Sequence, residues 1–249
     1  MPEAQGDNPR VAILGATGDL GFGLALRLAR EGVPVTIGSR NAERAGDAVE
    51  RCLGRVPDGR IEGTTNDAAV EAAEIVVLSV PFASHAETLK GLKPNFREGQ
   101  ILLDATVPLA TAIGGRATAT VGVWHGSAAQ QAKALLPEGV RVVSGLHTVS
   151  AVTLTDLDHE LDEDVLLAGE RREDKQRIAR MIERIPGLRC VDCGRLELSR
   201  FTEQLTPLLI SINSRYKTHA GIRILGLPES GAELGTGPAG GATDRQRRS

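Results

Sequence analysis

Val11-Ala12-Ile13-Leu14-Gly15-Ala16-Thr17-Gly18-Asp19-Leu20-Gly21 is the stretch on which the reading of the fold turns. Four apolar residues run unbroken into a glycine cluster, and Leu20, Leu24 and Leu28 then recur at helical spacing. An apolar run of this kind suits a strand buried on both faces. A chain that reverses tightly while its backbone approaches a ligand needs residues with little or no side chain. The amides of Thr17, Gly18, Asp19 and Leu20 would then open a helix toward an anion. Strand, glycine turn and helix in this order predict the phosphate-binding unit of a dinucleotide site, a far stronger signal than the glycines alone. An ordinary tight turn between strand and helix is the competing reading.

Moving outward, Gly32 stands where a helix ends, and Val33–Ile37 is a second strand-like run. It leads into Gly38-Ser39-Arg40, with Arg44 one helical turn further on. Sites for NAD usually carry Asp or Glu here to hold the ribose 2′-hydroxyl, and a carboxylate would repel a 2′-phosphate. A hydroxyl and two guanidinium groups suit that phosphate instead, so Ser39, Arg40 and Arg44 predict NADP(H). Solvated surface arginines are the alternative.

The rest of the chain alternates in the same way. Asn41 caps a helix through Cys52, and Asp67–Ala73 makes a short helix. Ile75–Val80 is a strand stopped by Pro81, and a helix near His85–Leu92 precedes the strand Ile101–Ala105. Ser127 caps a helix to Leu136, followed by the strand Val140–Leu146. After about Ser150 the character changes: a strand at Val165–Ala168, an amphipathic helix at Arg172–Ile185, and a long helix at Leu198–Ser214 despite Pro207. The expected fold is α/β, a Rossmann-type doubly wound parallel sheet with a small, mainly helical C-terminal domain. Residues 1–150 form the NADP-binding domain and 151–228 the small domain; 229–249, rich in Gly, make a disordered tail.

Composition narrows the function. The formal net charge of −3 and 2% aromatic content disfavour nucleic-acid binding. No apolar run reaches the roughly 20 residues of a membrane helix, and the polar Met1–Arg10 lacks a signal-peptide core, so a cytoplasmic protein is expected. Cys52, Cys190 and Cys193 are too few for a disulfide framework. Cys190 and Cys193 have no second pair with which to complete a zinc site, His85, His125, His159 and His219 show no ligand spacing, and no metal is expected.

In an open parallel sheet, ligands sit beyond the carboxyl ends of the strands. Ser79-Val80-Pro81 and Asp104-Ala105-Thr106-Val107-Pro108 should therefore flank the nicotinamide, unless the prolines merely stop the strands. No Tyr-x-x-x-Lys pair is present to donate a proton to a developing alkoxide. A hydride passed between two organic cofactors needs no such donor, and the protein then supplies alignment rather than a catalytic residue. His147, in Gly145-Leu146-His147-Thr148-Val149, faces the expected cleft and can position a ring; a structural histidine at a strand end is the alternative.

These residues together resemble the NADPH-dependent coenzyme F420 reductases, which move a hydride between NADP(H) and a deazaflavin. The resemblance spans about residues 10–227 and rests on Gly15–Gly21, Gly38–Arg40, Ser79–Pro81, Gly145–Val149 and Leu205-Thr206-Pro207-Leu208. It implies that Thr17, Gly18, Asp19 and Leu20 hold the pyrophosphate and that Ser39, Arg40 and Arg44 hold the 2′-phosphate. It implies that Ser79, Val80, Pro81 and Ala151 line the nicotinamide, and that His147, Val149 and Ala220 meet the deazaflavin. Arg215, Lys217 and Arg223 would face that coenzyme's acidic tail. A homodimer is expected from relatives. The chain departs from the family at Ser150, where a proline is usual, and across Thr111–His125. Reduction of another acceptor, such as an imine or a flavin, and a non-catalytic NADP(H) sensor are the alternatives.

Overall fold

The computed structural model describes residues 8–227. The expected tail at 229–249 lies outside the described residues.

The chain alternates strand and helix through β1 (Val11–Leu14), α1 (Asp19–Arg30), β2 (Val35–Ser39), α2 (Ala42–Leu53), β3 (Ile61–Thr65), α3 (Asn66–Ala72), β4 (Ile75–Leu78), α4 (Phe82–Leu92), β5 (Ile101–Asp104), α5 (Ala128–Leu135) and β6 (Arg141–Ser144). There follow α6 (Ala151–Thr155), β7 (Glu163–Gly169), α7 (Arg172–Ile182), β8 (Leu188–Asp192) and α8 (Ser199–Tyr216). The eight strands form one sheet in the order β3-β2-β1-β4-β5-β6-β7-β8. Its first six, 3-2-1-4-5-6, have the order of dinucleotide-binding folds and run parallel.

Alternation within β1 explains why the sheet is covered twice. Val11 and Ile13 join one apolar core, while Ala12 and Leu14 join the other. Side chains of every other residue point to opposite faces, so a wholly apolar strand needs helices on both sides.

Two strands escape a sequence reading. β3 reads Ile-Glu-Gly-Thr-Thr and lies at the sheet edge, mostly exposed, so it carries no apolar run. β8, Leu-Arg-Cys-Val-Asp, places Arg189 in a buried ion pair with Asp164, Nη2 to Oδ2 at 2.7 Å, and the charge hides the strand pattern. Helical residues outnumber strand residues after Ser150, yet β7 pairs antiparallel with β6 and continues the sheet. β6 also stops at Ser144, short of the expected Leu146, whose φ of +70° takes the backbone out of strand conformation.

Local capping follows the sequence. Asn41 Oδ1 accepts from the Glu43 amide at 2.8 Å, and Ser127 Oγ accepts from the Gln130 amide at 3.0 Å. Gly32 takes φ +73° after α1. Arg27 and Gly23 pack one face of α1 against α6.

Candidate active site

The glycine turn sits over the carboxyl ends of β1 and β4, as its composition requires. Gly15 adopts φ +90°, and a Cβ there would lie 2.1 Å from the Ser79 carbonyl oxygen. No other residue fits that approach. A Cβ at Gly21 would lie 2.8 Å from Ala16 Cα, so this glycine seats α1 against its own turn. Gly18 caps α1 with extended backbone and no side-chain hydrogen bond, so the first amides of the helix stay open toward the cavity.

Two adjoining hollows meet at this turn. The first, about 300 Å³, is lined by Thr17 and Gly18, by Ser39, Arg40 and Arg44, and by Asn66, Ser84 and Thr88 from α3 and α4. Among the described residues no carboxylate lines it, while Asp67 and Glu87 line an adjoining hollow that shares Ser39 and Arg40. Ser39 is nearly buried, with its Oγ accepting from the Asn41 amide at 3.3 Å, and Arg40 and Arg44 are exposed. One fixed hydroxyl and two cationic groups form a corner with the chemistry to hold a phosphate. Asn66, Ser84 and Thr88 were not foreseen. Asn66 follows β3, the strand with no sequence signal, and Ser84 and Thr88 are ordinary polar residues of a helix.

The second hollow, about 550 Å³, shares Gly18, Ser79, Val80 and Pro81 with the first. Asp19 and Leu20, Ala105–Val107, His147, Val149, Ala151 and Thr206 complete its wall. The lining is largely apolar, suited to flat rings, and it lies beyond the ends of β4 and β5 where the sheet order predicts a ligand. His147 is buried, and neither ring nitrogen has a hydrogen-bond partner. Burial pushes its pKa down to about 4 against the opposing effect of Asp104, so the ring is neutral at ordinary pH. Thr206 Oγ1 donates to the His147 carbonyl at 2.7 Å, tying α8 to this wall.

Beneath the wall, His85 Nε2 lies 2.8 Å from Asp104 Oδ2, and His85 Nδ1 lies 3.2 Å from Gln131 Oε1. Asp104 Oδ1 accepts from the Thr106 amide at 2.9 Å, so the pair fixes the β5 loop that faces the hollow. Glu203 of α8 accepts from the Ala128 and Ala129 amides at the start of α5. Burial pushes this carboxyl up to about 8. Sequence reading missed the pair because 19 positions separate its members.

Thirteen of the fourteen residues expected at the site line one hollow or the other (Thr17, Gly18, Asp19, Leu20, Ser39, Arg40, Arg44, Ser79, Val80, Pro81, Ala151, His147 and Val149). Ala220 does not: its amide donates to Asn213 Oδ1 at 2.7 Å after α8, away from the lining. Arg223, expected at an acidic tail, lies 2.7 Å from Asp162. Cys190 is buried and Cys193 half-buried, both as free thiols. Among the described residues no helix is long and apolar enough to cross a membrane.

A family model described as NADP oxidoreductase, coenzyme F420-dependent, matches residues 10–108. The chain is 42% identical over 224 residues to the F420-dependent NADP reductase of Methanothermobacter marburgensis, covering 88% of this chain and all of that protein. It is 40% identical to the reductase of the same name from Methanocaldococcus jannaschii, over 88% of this chain and 99% of that one. A crystal structure from Arthrobacter sp. FB24, assigned as an F420-dependent NADP-reductase, superposes with a TM-score of 0.73 at 25% identity, over 85% of this chain and 96% of that one. An imine reductase from Bacillus cereus shares the fold, with a TM-score of 0.55 at 17% identity over 84% of this chain and 63% of that one.

Proposed function

The chain belongs to the F420-dependent NADP reductases, and from that premise we propose how its two hollows divide the hydride exchange between NADP(H) and coenzyme F420. The smaller one takes the 2′-phosphate end of NADP(H), with Ser39, Arg40 and Arg44 as its clasp. Thr17 to Leu20 take the pyrophosphate at the open end of α1. The larger one takes the nicotinamide beside Val80, Pro81 and Ala151, with the deazaflavin against His147 and Val149. The observation that carries this reading is the corner of Ser39, Arg40 and Arg44 beside the glycine turn, which shares Gly18, Ser79, Val80 and Pro81 with an apolar hollow.

The coenzymes supply the hydride donor and acceptor carbons; the protein aligns them and keeps water away. Reacting carbons must be held about 3–3.5 Å apart, which a rigid apolar slot favours. A neutral His147 with two unpartnered nitrogens can donate to or accept from a ring substituent without adding charge. The test is direct: purified protein, NADPH and oxidised F420 should lose the visible absorbance of the deazaflavin. Intact absorbance, with NADPH binding retained, would redirect the reading to another acceptor or to a nucleotide sensor.

The same reading takes the enzyme as a cytoplasmic homodimer acting on small molecules, without nucleic acid. Its support is the apolar row Phe201, Leu208 and Tyr216, exposed at two-turn spacing along α8. Light scattering should return twice the chain mass of 26.3 kDa. A monomer at micromolar concentration would remove that part of the reading.

A further inference from the structure

Arg27 lies in the third turn of α1 and is only 6% exposed. Its Nε donates to the Leu154 carbonyl at 3.1 Å, and its Nη2 reaches the carbonyls of Thr153 at 2.8 Å, His159 at 2.9 Å and Asp156. All four acceptors are main-chain oxygens in and just after α6. A five-residue helix leaves its final carbonyls without intrahelical partners, and a guanidinium supplies both donors and favourable charge at that end.

One turn before Arg27, Gly23 meets the same segment. A Cβ on Gly23 would lie 2.7 Å from Leu154 Cβ and 3.1 Å from its carbonyl carbon. An anchor with four acceptors and a contact with no spare room thus hold α6 against one face of α1. Both helices begin at the larger hollow: Gly18, Asp19 and Leu20 line it from the start of α1, and Ala151 from the start of α6. The helix that seats the pyrophosphate therefore also sets where the opposite wall stands.

We propose that Arg27 is a positioning residue for hydride transfer, holding α6 so that the wall at Val149 and Ala151 keeps the two rings in reacting contact. This rests on the functional reading above. Lysine cannot reproduce the role, because a compact ammonium lacks the planar fork that spans several carbonyls at once.

The test uses the full chain with Arg27→Met, Arg27→Lys and, leaving the guanidinium in place, Gly23→Ala. Readouts are NADPH affinity by fluorescence, single-turnover transfer to oxidised F420, and the isotope effect with NADPH deuterated at the transferred position. NADPH affinity should stay within about twofold while transfer falls roughly 10–100-fold and the isotope effect rises, as expected for misplacement of order 1 Å. Arg27→Lys should fall between wild type and Arg27→Met, and Gly23→Ala should move the same way. Should Arg27→Met fail to fold, the other two variants decide the matter. Wild-type transfer and isotope effect in the folded variants, with only a lower Tm, would overturn the proposal, as would a loss of affinity that accounts for the whole loss of rate. A second readout needs no turnover. NADPH should slow amide hydrogen exchange at residues 150–156 of the wild type but not of Arg27→Met or Arg27→Lys, while protection at residues 15–20 persists in all. Equal protection of 150–156 in wild type and variants overturns the role of Arg27. A wild type that binds NADPH yet transfers nothing overturns the functional reading alone.

Discussion

His85 Nε2 and Asp104 Oδ2 stand 2.8 Å apart with neither side chain exposed, and they tie α4 to the end of β5 under the floor of the site. Burial alone would lower the histidine's pKa, but the Asp104 charge and hydrogen bonds to Asp104 and Gln131 outweigh it and raise the net value. The folded protein therefore holds a proton that the unfolded chain releases earlier. The stabilisation is complete below the ordinary histidine pKa of 6.5 and fades as pH climbs through the raised value. His85→Gln should cost about 3 kcal/mol at pH 5.5, the scale for breaking a buried pair, and the deficit should shrink above neutrality. Denaturant unfolding of both proteins across pH 5.5–9 checks this; a deficit that grows with pH would refute the charged pair.

Glu163 has a related but unpaired situation. Its Oε2 has no partner, a Cβ on Gly221 would lie 2.3 Å from it, and burial pushes the carboxyl up to about 7. A raised carboxyl favours the protonated folded state, so stability is present below the ordinary value of 4.5 and declines as pH rises to about 7. Glu163→Gln cannot ionise. Its Tm should decline less across that window than the wild type's, by a few degrees, the equivalent of about 1–2 kcal/mol. Parallel Tm profiles would place the titration elsewhere.

Cofactor choice can be tested at the corner formed by Ser39 and Arg40. Ser39→Asp with Arg40→Ala replaces a hydroxyl and a cation by an anion at the smaller hollow. Loss of charged hydrogen bonds worth about 1.5–3 kcal/mol should raise the KM for NADPH roughly 10–100-fold and leave that for NADH much less changed. Arg40 and Arg44 are exposed, so the wild-type preference should also weaken with salt. An unaltered ratio of kcat/KM values would show that the 2′-phosphate is read elsewhere.

His147→Phe keeps the ring volume but removes both nitrogens. The KM for oxidised F420 should rise by up to about tenfold, the worth of one hydrogen bond, with NADPH affinity unchanged. Because burial holds the His147 pKa down to about 4, the wild-type rate should show no step from this group between pH 6 and 8. An equal loss in NADPH affinity would make the residue structural instead.

The legible parts of this protein were those whose chemistry is local. Val11 to Gly21 announced strand, turn and helix because an apolar run, a glycine cluster and leucines at helical spacing follow one another within a few residues. Ser39 and Arg40 carried the expectation of a 2′-phosphate because residues just past the second strand are where a dinucleotide's ribose is read. β3 was hidden because a mostly exposed edge strand needs little apolar pattern, and Asn66 was hidden with it. β8 was hidden because its arginine is paid for by a carboxylate on another strand.

Sequence by itself determined the parallel sheet and the glycine turn, since each depends on backbone conformation and apolar pattern within a few neighbouring residues. Only the tertiary structure decided that β7 and β8 extend the sheet, that His85 meets Asp104, and that Arg27 grips carbonyls some 126–132 positions away. Those pairings arise from packing and desolvation between distant segments, and no periodicity along the chain encodes them.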